Sequence, residues 1–117
     1  MQLHWSESHA AACSRYRGLN ELAHNHRCRY CEIDLIISDG RGPQAVIRFI
    51  EVRYRQRRDF GAPEETVTAA KQRHSLLTAS HYLQARSCLD HITRFDVIAI
   101  SQPHYLPRIR WMQDAFA

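Results

Sequence analysis

The sequence predicts a single α/β domain built as a mixed β-sheet flanked by helices, in the order α-β-β-β-α-β-β. Three observations lead there. Two β-branched, aromatic segments at residues 31–38 and 45–55 are separated by a turn-rich stretch, SDGRGP. A long segment from Glu64 to about Ala85 has no internal breaker. A third apolar, β-branched segment, RFDVIAIS at residues 94–101, follows it.

Taken in order, residues 6–16 contain Ala10, Ala11 and Ala12, with Ser6 as N-cap and Gly18 as stop, which reads as a first helix. Residues 19–29 are polar and His-rich, and support at most a short strand around residues 22–25. The segments CEIDLIIS and AVIRFIEVRYR then pair as an antiparallel hairpin across the SDGRGP turn. In the second helix, Pro63-Glu64-Glu65 suits a first turn with acids at the positive end. Its buried stripe is expected to be Val67, Ala70, Leu76, Leu77, Ser80 and Leu83, with Lys71, His74, Thr78 and His81 on a presented face. The strand at residues 94–101 has the apolar run of an interior strand, parallel to a neighbour. Residues 109–112, after Pro103 and Pro107, read as a short edge strand.

A chain of 117 residues matches one domain spanning residues 1–117, and a second independent domain is not expected. Its longest apolar runs fall far short of the roughly 20 residues that cross a bilayer, so no membrane association is expected. Residues 1–12 carry His4, Glu7 and His9 without the basic start and apolar run of a secretion signal, so the expected location is cytoplasmic. The four cysteines, Cys13, Cys28, Cys31 and Cys88, are then read as reduced thiols. Spacing alone permits a Cys3His zinc site from Cys28, Cys31, Cys88 and His91, but semi-buried thiols are the simpler reading. A thioredoxin-like role fits poorly, because Cys31 leads straight into a strand instead of opening a helix.

Basic residues outnumber acidic ones by 16 to 12, and Lys71 is the only lysine among them. Guanidinium groups offer planar, bidentate contacts to phosphate. Arg53, Arg55, Arg57 and Arg58 cluster around Tyr54, a pattern that suits nucleic acid as a partner. A charge of +4 is by itself no more than a solvated basic surface.

Side chains two apart on a strand share a face, so Glu32 with Asp34, and Glu51 with Arg53, are expected to project together. Pairing of the hairpin brings Asp34 and Glu51 within reach of one ion. Mg²⁺ (or Mn²⁺) takes hard oxygen ligands and is commonly held by one or two carboxylates plus substrate phosphate. A simpler alternative is a surface cross-strand pair of Glu51 with an arginine. His24, His26, His74 and His81 read as solvated or partly packed, Trp5 and Trp111 as lids on the core, and Asp96 as a buried, hydrogen-bonded carboxylate.

The motifs CEIDLIISDG, FIEVRYR, FGxPEExVTxxKQ at residues 60–72, RFDV at 94–97 and the closing QDAF together resemble the YraN family of bacterial proteins, in order from about Glu7 to Phe116. The resemblance implies a restriction-endonuclease-like core, similar to Holliday-junction resolvases and tRNA-splicing endonucleases. It further implies a Mg²⁺-dependent endonuclease that hydrolyses phosphodiesters of DNA or RNA. Asp34 and Glu51 match the metal-binding acids, Arg53 the basic position, Glu7 an acid near the metal, and Lys71 and Gln72 lie on a helix facing nucleic acid. A homodimer is expected, since small nucleases of this fold often pair to reach two strands. Cys31 replaces the usual glycine of the signature, and Arg53 replaces the usual lysine. Arginine stays protonated and cannot act as a general base. That departure motivates the alternative of a catalytically inactive nucleic-acid-binding module on the same fold; a partner-binding scaffold is the third reading.

Overall fold

The computed structural model describes residues 10, 12, 18–29, 32–55, 69–86, 91–101 and 108–116. They form five strands, β1 (Asn20–Arg27), β2 (Glu32–Asp39), β3 (Val46–Arg55), β4 (Ile92–Ser101) and β5 (Arg108–Phe116), and one helix, α1 (Ala69–Ala85), between β3 and β4. Ala10 and Ala12 are also helical, within the segment expected as the first helix. The strands lie in sequence order in one sheet. β1, β2 and β3 pair antiparallel, β3 and β4 run parallel, and β5 returns antiparallel against β4. The sheet is therefore mixed, as expected, and α1 supplies the crossover that a parallel pair requires.

Both faces of the sheet are covered. On one, Ala79, Tyr82 and Leu83 of α1 pack on Ile33, Ile36, Ile47, Phe49 and Phe95. On the other, Ala10 is fully buried with Leu35, Ile37, Ile50, Ile98 and Ile100. A strand between two covered faces needs apolar side chains on both, and β4 is buried continuously from residue 95 to 100.

Three sequence expectations are corrected. β1 is a full eight-residue strand, because its polar side chains face outward on a sheet edge while its backbone bonds are taken by β2. β5 runs nine residues and exceeds the short edge segment expected. The third correction concerns α1, which buries Thr78, Ala79, Tyr82 and Leu83. Leu76 and Leu77, expected inside, are 39% and 47% exposed. Ala70 and Ser80 are likewise exposed, and Val67 lies outside the described residues. Apolar residues are spread around this helix, and tertiary fit selects the side on which small Ala79 lets Tyr82 lie edge-on to Phe49, with ring centroids 6.2 Å apart. Thr78 is buried at no polar cost because its hydroxyl donates to His74 O at 2.9 Å and meets Cys28 Sγ at 3.1 Å.

The alternation of β2 also breaks. Ile33 and Ile36, three residues apart, share the α1-side cluster, whereas Leu35 and Ile37 belong to the other. Opposite the break, Asn25 of β1 takes a left-handed φ of 49°. Asn tolerates that conformation better than most residues. The kink falls where β2 leaves β3: the last paired residues are Leu35 and Ile50, and beyond them the ladder stops.

Candidate functional site

The site is built where that ladder ends. Past Ile50 the β3 amide of Val52 would lack its strand partner, and Asp34 supplies one: its Oδ2 accepts from Val52 N at 2.8 Å. The Asp34 carboxylate thereby bridges the parting strands next to Glu51. Glu51 shares strand parity with Ile47 and Phe49 and points toward α1, where Lys71 Nζ pairs with its Oε1. Arg53, two residues on, brings Nη2 to 3.2 Å from the same oxygen. These two side chains are only 17% and 21% exposed, so their charges act in a poorly screened environment.

Hydrogen bonding around the pair is incomplete. Glu51 Oε2, Arg53 Nε and Arg53 Nη2 are buried and find no hydrogen-bond partner among the described residues. Arg53 Nη2 is close to Glu51 Oε1 as a charge but is not aligned for a hydrogen bond. One acceptor and the two donors along one edge of a guanidinium are thus left over, each costly when buried unmet. Beside them, a small recess is lined by Glu32, Ile33, Phe49, Glu51, Ser75 and Phe95 among others. Ser75 and the contribution of Glu32 to this recess were not expected from sequence. The period of the helix, which puts Ser75 one turn after Lys71, is a signal that could have found Ser75.

Glu32 and Asp34 do not act as the side-by-side pair that strict alternation predicts. Glu32 pairs with Arg27 at 3.3 Å, while Asp34 turns to β3. Lys71, expected on a helix facing nucleic acid, pairs with Glu51 of the sheet while staying 39% exposed, and Gln72 is half-buried beside it. Glu7, Arg57 and Arg58 lie outside the described residues, and Arg55 closes β3. Cys13, Cys31, Cys88 and Trp5 are also outside the described residues. The two described members of the Cys3His set have other partners: Cys28 meets Thr78, and His91 Nδ1 lies 3.1 Å from Ala45 O.

Among the described residues, no group of three or more His, Cys, Asp or Glu is arranged to hold a metal ion. A hard cation such as Mg²⁺ needs no such cage, since one or two carboxylates with water and substrate oxygens suffice. The orphaned Oε2 of Glu51, with the Asp34 carboxylate on the amide of the following residue, Val52, fits that demand in donor chemistry.

A second polar cluster occupies the opposite face. Asp96, 1% exposed, accepts through Oδ2 from Arg48 Nη1 at 3.0 Å and from Trp111 Nε1 at 2.9 Å. Asp39 Oδ2 accepts from Arg48 Nε at 3.3 Å and Nη2 at 3.1 Å. Burial works against the Arg48 charge, but the bonds to Asp39 and the charge and bond of Asp96 outweigh it and hold the guanidinium above its ordinary pKa. This network ties β2, β3, β4 and β5 together and bears out the buried carboxylate expected at residue 96. Arg48, an arginine inside an apolar strand, was the sequence signal for it. His26, expected to be solvated, instead packs edge-on to Tyr82 at 5.1 Å between centroids, and its Nε2 is buried.

The fold and site define an α/β protein whose mixed sheet parts at one end around two carboxylates, an arginine and a lysine under a single described helix. The profile of the uncharacterised protein family UPF0102 matches residues 6–100, and the chain belongs to that family, which bears out the YraN resemblance. It is 40% identical to a UPF0102 protein of Psychromonas ingrahamii over 95% of this chain and 85% of that one. It is 41% identical to a UPF0102 protein of Cupriavidus necator, covering 95% and 79% of the two chains. A UPF0102 protein of Coxiella burnetii is 41% identical over 94% of this chain and 87% of its own. No helix among the described residues is long and apolar enough to cross a membrane.

Proposed function

We propose that this protein is a divalent-metal-dependent endonuclease with a restriction-endonuclease-like core, hydrolysing phosphodiesters of DNA or RNA. The observation that carries the reading is the set of unmet buried atoms: Glu51 Oε2 as acceptor, Arg53 Nε and Nη2 as donors. An acceptor that wants a cation beside a fork that wants an anion is complementary to a metal-bound phosphate. Glu51 and Asp34 would hold Mg²⁺ or Mn²⁺, which when bound lowers the pKa of water and neutralises phosphate charge. Arg53 offers the Nε–Nη2 edge to two phosphate oxygens and stabilises the charge that develops on them. Lys71 adds a second positive charge at Glu51. Arg55, Arg57, Arg58 and Gln72 would contact the nucleic-acid backbone, and Glu7 would assist as an outer ligand. Action in the cytoplasm and pairing of two copies to reach two strands belong to the same proposal.

The second reading, a nucleic-acid-binding module without turnover, is favoured by Arg53 in the basic position and by a Glu51 already neutralised by two cationic side chains. A panel of branched, single-stranded and duplex DNA and RNA, run with Mg²⁺, Mn²⁺ and chelator, separates the two. The nuclease reading expects metal-stimulated cleavage that falls about a hundredfold or more in Glu51→Gln. Binding that weakens with salt, with no cleavage of any substrate under either metal, establishes the second reading instead.

A further inference from the structure

The chain's only lysine sits on the carboxylate that the proposed chemistry most needs. With Asp34 and Glu51 ionised and Arg53 and Lys71 protonated, the cluster sums to zero charge. A divalent ion approaching it gains no net Coulombic attraction, and one of the groups holding Glu51 is a cation competing for the same carboxylate. Arg53 is anchored on the strand beside Glu51 and mostly buried. Lys71 differs: its side chain is 39% exposed, and it reaches from α1 on a flexible stem. An ammonium that reaches solvent from such a stem can exchange a carboxylate for a phosphate with little disturbance of packing.

We propose that Lys71 is a cation gate that couples metal binding to substrate binding. Without nucleic acid, Lys71 neutralises Glu51 and keeps divalent affinity low. When a phosphodiester arrives, Lys71 moves its ammonium from Glu51 to the phosphate, the acid cluster becomes net negative, and the cation is taken up. Coupling of this kind is reciprocal, so the metal also strengthens nucleic-acid binding. The gate rests on the metal-site reading above, yet it makes a claim about Lys71 that no cleavage assay tests. Its benefit is economy of damage: an enzyme loaded with metal only in the presence of substrate does not carry a reactive metal-bound water between turnovers.

The test is calorimetric titration of the full chain with Mn²⁺, alone and with a phosphorothioate oligonucleotide that resists cleavage, for the wild type and for Lys71→Met, Lys71→Gln, Lys71→Arg and Glu51→Gln. Lys71→Met and Lys71→Gln are expected to bind Mn²⁺ alone roughly tenfold more tightly than wild type, because a competing charge is gone. Lys71→Arg is expected to stay within about twofold of wild type, and Glu51→Gln to lose binding. The oligonucleotide, whose phosphate oxygens can ligate the ion in either protein, is expected to raise Mn²⁺ affinity in both. The factor is expected to be clearly larger in wild type, where the oligonucleotide also draws Lys71 away from Glu51, than in Lys71→Met. If Glu51→Gln loses Mn²⁺ but both neutral Lys71 variants match wild type with and without oligonucleotide, the gate is wrong and the metal site stands. If Glu51→Gln binds as wild type does, or if no variant binds Mn²⁺ under either condition, the metal site itself is wrong and the gate falls with it.

Discussion

Two residues outside the proposed chemistry show how burial sets what a side chain does. His26 has its pKa held below the ordinary 6.5, first by burial, then by the nearby His81 and Arg86 charges. The fold therefore keeps His26 neutral where the unfolded chain would protonate it, so the unfolded state binds more protons at and below the ordinary value. Stability is present above that pH and is lost as pH falls through it. The urea midpoint is expected to drop between about pH 7.5 and about pH 5, and His26→Phe to shrink that drop; an unchanged drop in the variant assigns it to other groups. Asp96, by contrast, is 1% exposed and accepts from both Arg48 Nη1 and Trp111 Nε1. Asp96→Ala would strand the Arg48 guanidinium with Asp39 as its acid partner among the described residues and leave Trp111 Nε1 without its carboxylate. Equilibrium denaturation is expected to show a loss of about 3 to 5 kcal/mol, the range for breaking a buried pair by removing one partner.

At the scale of elements, the sequence disclosed what period and turn chemistry control. The β2–β3 hairpin was legible because SDGRGP is dense in turn formers and the flanking segments are β-branched; Leu35 indeed opposes Ile50, and Asp39 opposes Val46. That β4 runs parallel to a neighbour was legible in its unbroken apolar run, though not which neighbour; it pairs with β3 over ten positions from Val46–Ile92 to Arg55–Ser101. The buried side of α1 was not legible, since its leucines mark no stripe and the face that packs is chosen by Phe49, Ile33 and the acid site. Nor was the break in β2 legible: it depends on Asn25 and on Asp34 replacing a strand partner with a side chain. Asp34, Glu51 and the Arg53 partner of Glu51 could be found by spacing, but its Lys71 partner could not, because Lys71 lies on another element. The corrected helix face has a direct consequence. Leu76→Gln and Leu77→Gln are expected to change stability by no more than about 0.5 kcal/mol. Ala79→Leu, at a site 3% exposed against the sheet, is expected to cost about 1 to 3 kcal/mol from overpacking. Chemical denaturation of the three variants checks this, and a reversed order would restore the sequence-based face.

At the scale of the molecule, the sheet is the device that places charge. Its interior is covered by α1 on one face and by Ala10 on the other, and the Arg48–Asp96 network locks four strands in register. Among the described residues, buried side-chain atoms without a hydrogen-bond partner are Glu51 Oε2, Arg53 Nε and Arg53 Nη2, where β2 and β3 part, and His26 Nε2 on β1. Three of these four atoms belong to two neighbouring residues of β3, which concentrates most of the unmet demand for a ligand at that point. The most direct test is a crystal grown with Mn²⁺ and an uncleavable oligonucleotide, read by anomalous scattering from the metal. The account predicts a peak about 2.0 to 2.3 Å from Glu51 Oε2, with Asp34 on the same ion and Lys71 withdrawn to phosphate. An ordered oligonucleotide with no metal peak at Glu51, and Lys71 still paired with that carboxylate, would contradict it.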